Sequence, residues 1–168
     1  MTSSVQVRPA EPGDRSAIHA IHVAAFGQEA EAELVERLER DGDLILSLVA
    51  CTERPVGHIA FSRLNVVEMP SIRACALAPL AVDPHAQKQG IGAALVADSL
   101  RRLSQSGWDL ALVLGDPAYY GRFGFAPEAA RAFETPYDGP YLQALPLSDR
   151  GKEARGPIAY APAFAELS

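Results

Sequence analysis

The sequence predicts an α/β domain in which a mixed sheet is flanked by helices. Three observations carry that expectation. A length of 168 residues with 48% hydrophobic and 21% charged side chains suits one globular domain, and a chain of this size buries roughly two-thirds of the surface its unfolded form exposes without help from disulfides or metal. Apolar periodicity alternates between helical and extended spacing, with no repeat period and no low-complexity tract. The extended runs also cluster in mid-chain with helical runs on either side, the pattern of a mixed α/β layer. Residues 1–168 therefore read as one domain, with a motif-bearing core over 44–126 and Pro-rich strands over 127–168.

The elements follow in order. Val5, Gln6 and Val7 open a short strand. Asp14 stands at an N-cap position before Ile18, Ile21, His22, Ala25 and Phe26, which recur at helical spacing until Gly27. In the next helix Leu34, Val35 and Leu38 make an apolar stripe while Glu29, Glu33 and Glu36 share the other side, and Asp41-Gly42-Asp43 turns the chain. Three strands are expected at 44–51, 56–67 and 74–82, the first two joined by a hairpin-sized Thr52-Glu53-Arg54-Pro55. From Gln87 the period changes, and Gly92, Leu95, Val96, Ser99, Leu100 and Leu103 line one helical face that stops near Gly107. The continuous apolar run at 110–114 fits a buried strand. Beyond Phe125 the prolines predict short strands and loops, with 141–147 the best strand.

Composition narrows the function. A net charge of −6 argues against a general nucleic-acid binder, which needs clustered Lys and Arg. Cys51 and Cys75 lie outside any metal-ligand spacing, the first residues lack a basic–apolar–small signal pattern, and no apolar run approaches the roughly 20 residues of a membrane span. The expectation is a cytoplasmic protein with neither a membrane nor a nucleic-acid partner.

One segment carries chemistry. Leu80-Ala81-Val82-Asp83-Pro84-His85-Ala86-Gln87-Lys88-Gln89-Gly90-Ile91-Gly92-Ala93 is a strand, a turn and a glycine-rich helix start. Such a start aims free N–H groups and the positive end of the helix dipole at one place, which suits phosphate. Gly90 and Gly92 remove the Cβ barrier to an anion, and Lys88 puts a mobile positive charge at the rim. A Walker loop is excluded because Lys88 precedes the glycines. The dinucleotide fingerprint is met only by Gly90-Ile91-Gly92-Ala93-Ala94-Leu95, whose last position is a bulky Leu. A tight strand-to-helix turn with no ligand is the alternative that this segment alone leaves open.

With Leu80-Ala81-Val82 before it, Gln87-x-x-Gly90-x-Gly92 resembles the acetyl-CoA segment of the GNAT superfamily of N-acetyltransferases. Further on, Leu114-Gly115-Asp116-Pro117-Ala118-Tyr119-Tyr120-Gly121-Arg122-Phe123-Gly124-Phe125 resembles its second signature, a Tyr four residues before a Gly-Phe pair, in the form found in the YhbS-like branch. The resemblance implies an acyl-CoA N-acyltransferase fold with a central, mostly antiparallel sheet splayed at strands 4 and 5. That splay would accommodate Pro79, which otherwise contradicts a central strand. It implies acetyl-CoA as co-substrate, no metal, and transfer of an acetyl group to a primary amine by direct attack in a ternary complex. The alternative is a non-catalytic CoA-binding regulatory module.

On this resemblance Leu80, Ala81 and Val82 hold the pantetheine arm, and Gln87, Lys88, Gln89, Gly90, Ile91, Gly92 and Ala93 hold the pyrophosphate. Asp116 stands after strand 5, where many relatives carry Asn, and belongs to the coenzyme site with Tyr120, the general acid for the leaving thiolate. Outside the signature Tyr120 would read as a core or rim aromatic. Candidates for a base are Glu29, Glu31, Glu33 and His58, the glutamates equally readable as a solvated helix face, and His85 reads as surface. Cys75 reads as a small buried hydrophobe. Arg101, Arg102 and Arg122 are candidates for the adenosine 3′-phosphate or ordinary surface arginines. The acceptor is a small-molecule or protein amine, favoured as a cation by the acidic second helix. The protein reads as a monomer or a homodimer, with Tyr141, Tyr160 and Phe164 as candidate contact residues.

Overall fold

The computed structural model describes residues 4–167. The elements in chain order are β1 (Gln6–Pro9), α1 (Arg15–Phe26), α2 (Ala30–Arg40), β2 (Leu44–Cys51), β3 (Pro55–Val66), β4 (Ala74–Val82) and α3 (Ile91–Gln105). There follow β5 (Leu110–Leu114), α4 (Pro117–Tyr120), α5 (Pro127–Ala130), β6 (Phe133–Glu134), β7 (Leu142–Pro146), α6 (Asp149–Glu153) and β8 (Gly156–Tyr160). The strand order is β1-β2-β3-β4-β5-β7, with β8 on β3 and β6 on β8. Pairs β1–β2, β3–β8 and β5–β7 are antiparallel, whereas β4–β5 and the two-residue β6–β8 pair are parallel. The β4–β5 ladder runs only from Ala74↔Leu110 to Leu77↔Val113, although β4 continues to Val82. This is the expected splay. Pro79 falls beyond the last paired position, so its missing N–H costs no β4–β5 bond.

Two compact units divide the chain, and β3, β4 and α3 contribute residues to both. The first contains residues up to Phe61, Pro79–Ser99 and the tail from Pro162. Here β1 lies on β2 from Gln6↔Cys51 to Pro9↔Leu48. The α2 stripe buries Ala32, Leu34, Val35 and Leu38, and Val35 meets Ile18 of α1 and Val49 of β2 in one cluster. Asp14 stands before α1 as expected but does not cap it. Its carboxylate takes both Arg8 guanidinium nitrogens, at 2.7 and 3.0 Å, and the Glu11 amide at 2.8 Å. Gly27 ends α1 in the left-handed conformation, φ 71°. The tail 3-10 segment Pro162–Leu167 packs on α2 with Ala163 and Phe164 buried, which removes Phe164 from the exposed contact residues the sequence suggested.

The second unit contains Ser62–Ala78 and Leu100–Ala161. Its centre is β5, flanked by β4 and β7 and buried from Leu110 to Val113, as its uninterrupted apolar run predicts. Leu64, Val66, Leu112, Phe133, Leu142 and Ile158 belong to its core. Asp109, just before β5, ties neighbouring loops together: its carboxylate accepts from the Arg73 amide at 2.9 Å and the Ser148 hydroxyl at 2.7 Å. Tyr160, also expected to be exposed, is partly covered with its ring edge-on to Tyr137, while Tyr141 is open to solvent.

Candidate functional site

The glycine-rich start is built on β4 and lies in the first unit. The Asp83 amide donates to Val56 O at 2.7 Å. Strand alternation therefore turns the main-chain groups of Val82, and of Leu80 two residues earlier, away from β3. Val82 O accepts from Gln87 Nε2 at 3.1 Å. Thus the Gln87 side chain braces the end of β4, and only its main chain is left to the segment that follows. Ala81 is buried and anchors the strand. The Asp83 carboxylate accepts from the His85 amide at 2.9 Å, which holds its pKa below the ordinary value, and it caps the Pro84–Ala86 turn.

Gln87 is extended, then Lys88 and Gly90 are left-handed at φ 66° and 79°. Lys88 is the non-glycine residue with positive φ among those described, a conformation that costs an L-residue about 1–2 kcal/mol. Ala94 N bonds to Gly90 O, so Gly90 is the N-cap. The amides of Ile91, Gly92 and Ala93 precede that bond and have no acceptor within the helix. Gln87, Lys88, Gln89 and Gly90 are exposed, nothing lies within 4 Å of where a Gly90 Cβ would stand, and Ile91 is buried as the anchor. An open, concave run of amides on a 15-residue helix fits a coenzyme phosphate.

Gly57 sets the height of this helix. A Cβ there would stand 3.0 Å from Ile91 Cγ2 and 3.1 Å from Leu95 Cδ1, so its absence lets the first turns of α3 settle on β3. The sequence reading did not single out this glycine, although a Gly inside a strand pattern signals a close approach.

Tyr120 lies in the second unit, after β5. Asp116 caps α4 by accepting the Ala118 amide at 2.9 Å, and the Tyr120 amide reaches Asp116 O at 3.0 Å. The carboxylate thus anchors its own turn. Tyr120 meets Tyr119 and Phe125 edge-on, with centroids 5.0 and 5.9 Å apart. Burial, then the neighbouring Tyr119, pushes its phenol up to about 12, so it stays protonated throughout the physiological range. Arg122 lies over the Tyr119 ring at 4.5 Å and donates to Tyr119 O.

The base candidates disperse. His58 is wholly buried, facing neither cleft nor solvent: Nδ1 meets His22 Nε2 and Nε2 meets Ser47 Oγ, both at 2.8 Å. Desolvation lowers both histidine pKa values, so both are neutral. On α2, Glu36 and Glu29 approach His19 at 3.0 and 3.7 Å, and Glu36 chiefly raises the His19 pKa. Glu31 accepts from Gln28, and Glu33 is exposed. His85 is at the surface as expected. Cys75 is fully buried, its thiol pKa raised by desolvation, and it is no nucleophile.

Residues 6–127 match the family model described as an acetyltransferase (GNAT) domain. The N-acetyltransferase YhbS of Escherichia coli K12 is 39% identical over 121 residues, 71% of this chain and 72% of that protein. YjhQ of the same strain is 38% identical over 135 residues, 77% and 75% of the two chains. The crystal structure of E. coli YhbS in complex with CoA superposes with a TM-score of 0.92 at 32% identity, covering 100% of this chain and 96% of that one. A GNAT acetyltransferase from Brucella melitensis in complex with acetyl-CoA gives 0.81 at 31% identity, covering 97% and 99%. By family match and by similarity across most of its length, the chain belongs to the GNAT family of acetyltransferases.

Proposed function

We propose that the protein transfers an acetyl group from acetyl-CoA to a primary amine by direct attack, with Tyr120 as the proton donor. The observation that carries the coenzyme assignment is the left-handed pair Lys88 and Gly90 just ahead of Ile91, a strained turn followed by open helix amides. In this reading the main chain from Gln87 to Ala93 binds the pyrophosphate, and Leu80, Ala81 and Val82 take the pantetheine arm as an added strand. Asp116, whose carboxylate caps α4, stands in the coenzyme site beside Tyr120. The relatives crystallised with CoA and acetyl-CoA support the choice of coenzyme.

The acceptor nitrogen attacks the thioester carbon. The C–N bond forms, the C–S bond breaks with its electron pair leaving on sulfur, and sulfur takes a proton from Tyr120. The amine's surplus proton leaves to water and the phenol is restored, so amide and free CoA are the products. His58 is no base here, because burial disfavours the protonated imidazole that a base would become and keeps the ring out of reach of bulk water. The net charge of −6 and the exposed glutamates of α2 favour a cationic acceptor, either a small-molecule amine or a protein amine.

Calorimetry with acetyl-CoA, followed by a thiol-release assay across an amine panel, tests this reading. Tyr120→Phe is expected to lower kcat about 10²–10⁴-fold with the acetyl-CoA Kd unchanged. Failure to bind acetyl-CoA would overturn the coenzyme assignment, and an unchanged kcat would overturn the acid.

A further inference from the structure

We infer that Gln143 and Gly115 are positioning residues for Tyr120: the buried Gln143 amide fixes the Gly115 peptide, and the bare Cα of Gly115 lets the Tyr120 ring seat against it. The catalytic consequence rests on the proton-donor role proposed above, whereas the placement of the ring does not. Gln143 lies on β7 opposite Val113 of β5 and is wholly buried. Its Nε2 donates to Gly115 O at 3.0 Å and to Tyr141 O at 3.4 Å, and the Gly115 amide donates to the same Tyr141 O at 3.0 Å. The strand end is thus fastened through both main-chain groups of one residue, Gly115. Against that residue lies the phenol ring. A Cβ on Gly115 would stand 2.5 Å from Tyr120 Cε2 and 3.0 Å from Cδ2, closer than real side chains approach. Gly115 does not have a positive φ, so the ring and not the backbone demands glycine.

The Gln143 side chain is also costly. Its Oε1 is buried with no partner among the described residues, and an unmatched buried acceptor lowers stability. An aliphatic residue would avoid that cost, so the two donated bonds are what the amide supplies. The Ala126↔Ala144 bridge closes the segment after Phe125 onto β7, so both the floor and the Phe125 wall of the Tyr120 seat hang from the strand that carries Gln143.

The tests are Gln143→Met, which keeps the volume and removes the donor, and Gly115→Ala, which leaves the amide in place and intrudes on the ring. Each is measured beside its Tyr120→Phe counterpart. The first readout is ultraviolet difference titration of Tyr120 up to pH 11, in which Tyr119 is the titratable neighbour. In the parent protein Tyr120 stays protonated, and in both variants it begins to ionise nearer the ordinary value of about 10. The second is acetyl transfer, where kcat falls about 10–100-fold with the KM for acetyl-CoA unchanged, and where neither substitution adds a loss to Tyr120→Phe. Unaltered Tyr120 ionisation in the folded variants would overturn the inference. Shifted ionisation with full activity in Tyr120→Phe would overturn the proton-donor reading and leave the positioning intact.

Discussion

His22 and His58 share a hydrogen bond inside the first unit, where burial disfavours a second proton on either ring. Burial depresses both values in the folded state, while the unfolded chain titrates near 6.5. The unfolded state therefore binds more protons below pH 6.5, and stability present above that pH is lost as pH falls. By pH 5 the loss is about 2 kcal/mol per histidine. His19 works in the opposite sense, since its raised value adds stability on acidification, but it lies at the surface between Glu36 and Glu29 and offsets only a little. Urea midpoints at pH 7.5 and 5 should show the fall, and His58→Gln should flatten it; a flat parent profile would contradict the neutral pair. This pair was half legible in the sequence. His22 falls in the apolar stripe of α1 and His58 in a strand, but their meeting depends on how the helix packs, which no spacing records. Tyr120 was singled out because its distance to the Gly124-Phe125 pair is local, and its role is the one proposed above.

At the scale of elements, the start of α3 shows how one residue on a strand sets the seat of a helix. Gly57→Val would press on Ile91 and Leu95, which already sit at 3.0 and 3.1 Å from the Cβ position. Overpacking of this kind costs about 1–3 kcal/mol, here by lifting the helix end that carries the amides. The expected result is a weaker acetyl-CoA Kd by about tenfold in calorimetry together with a lower Tm; an unchanged Kd would mean that α3 is positioned from elsewhere. Periodicity made α1, α2 and β2 to β5 legible to within a residue or two, because each is long enough to repeat its pattern, whereas α3 begins at Ile91, four residues beyond the change of period at Gln87. The tail was not. β8 pairs Tyr160 with Leu64, more than half the chain away, β6 is two residues long, and α5 and α6 are single turns. Such elements exist through tertiary contacts and leave no period to read.

Over the whole molecule, a charge of −6 meets a coenzyme that is itself an anion. On the binding mode proposed above, attraction comes from oriented amides at short range, while the long-range field repels. Raising ionic strength from about 0.02 to about 0.2 M should accelerate acetyl-CoA association by a few fold, because salt screens the repulsion more than the contact. Stopped-flow rates that fall steeply with salt would instead point to steering by arginine and lysine. The two units carry a further consequence. The first is assembled from stretches interrupted at 62–78 and 100–161, and its last piece is the Pro162–Leu167 turn on α2. Its contacts cannot close by zipping outward from a local hairpin. They wait on ring closures spanning much of the chain, which slows the search and leaves half-made sheet edges open meanwhile. In biosynthesis, then, the vulnerable interval is the one before the Pro-rich tail emerges, and a nick or stop codon near residue 161 should trap a sticky, collapsed species even though every coenzyme-site residue has already been made.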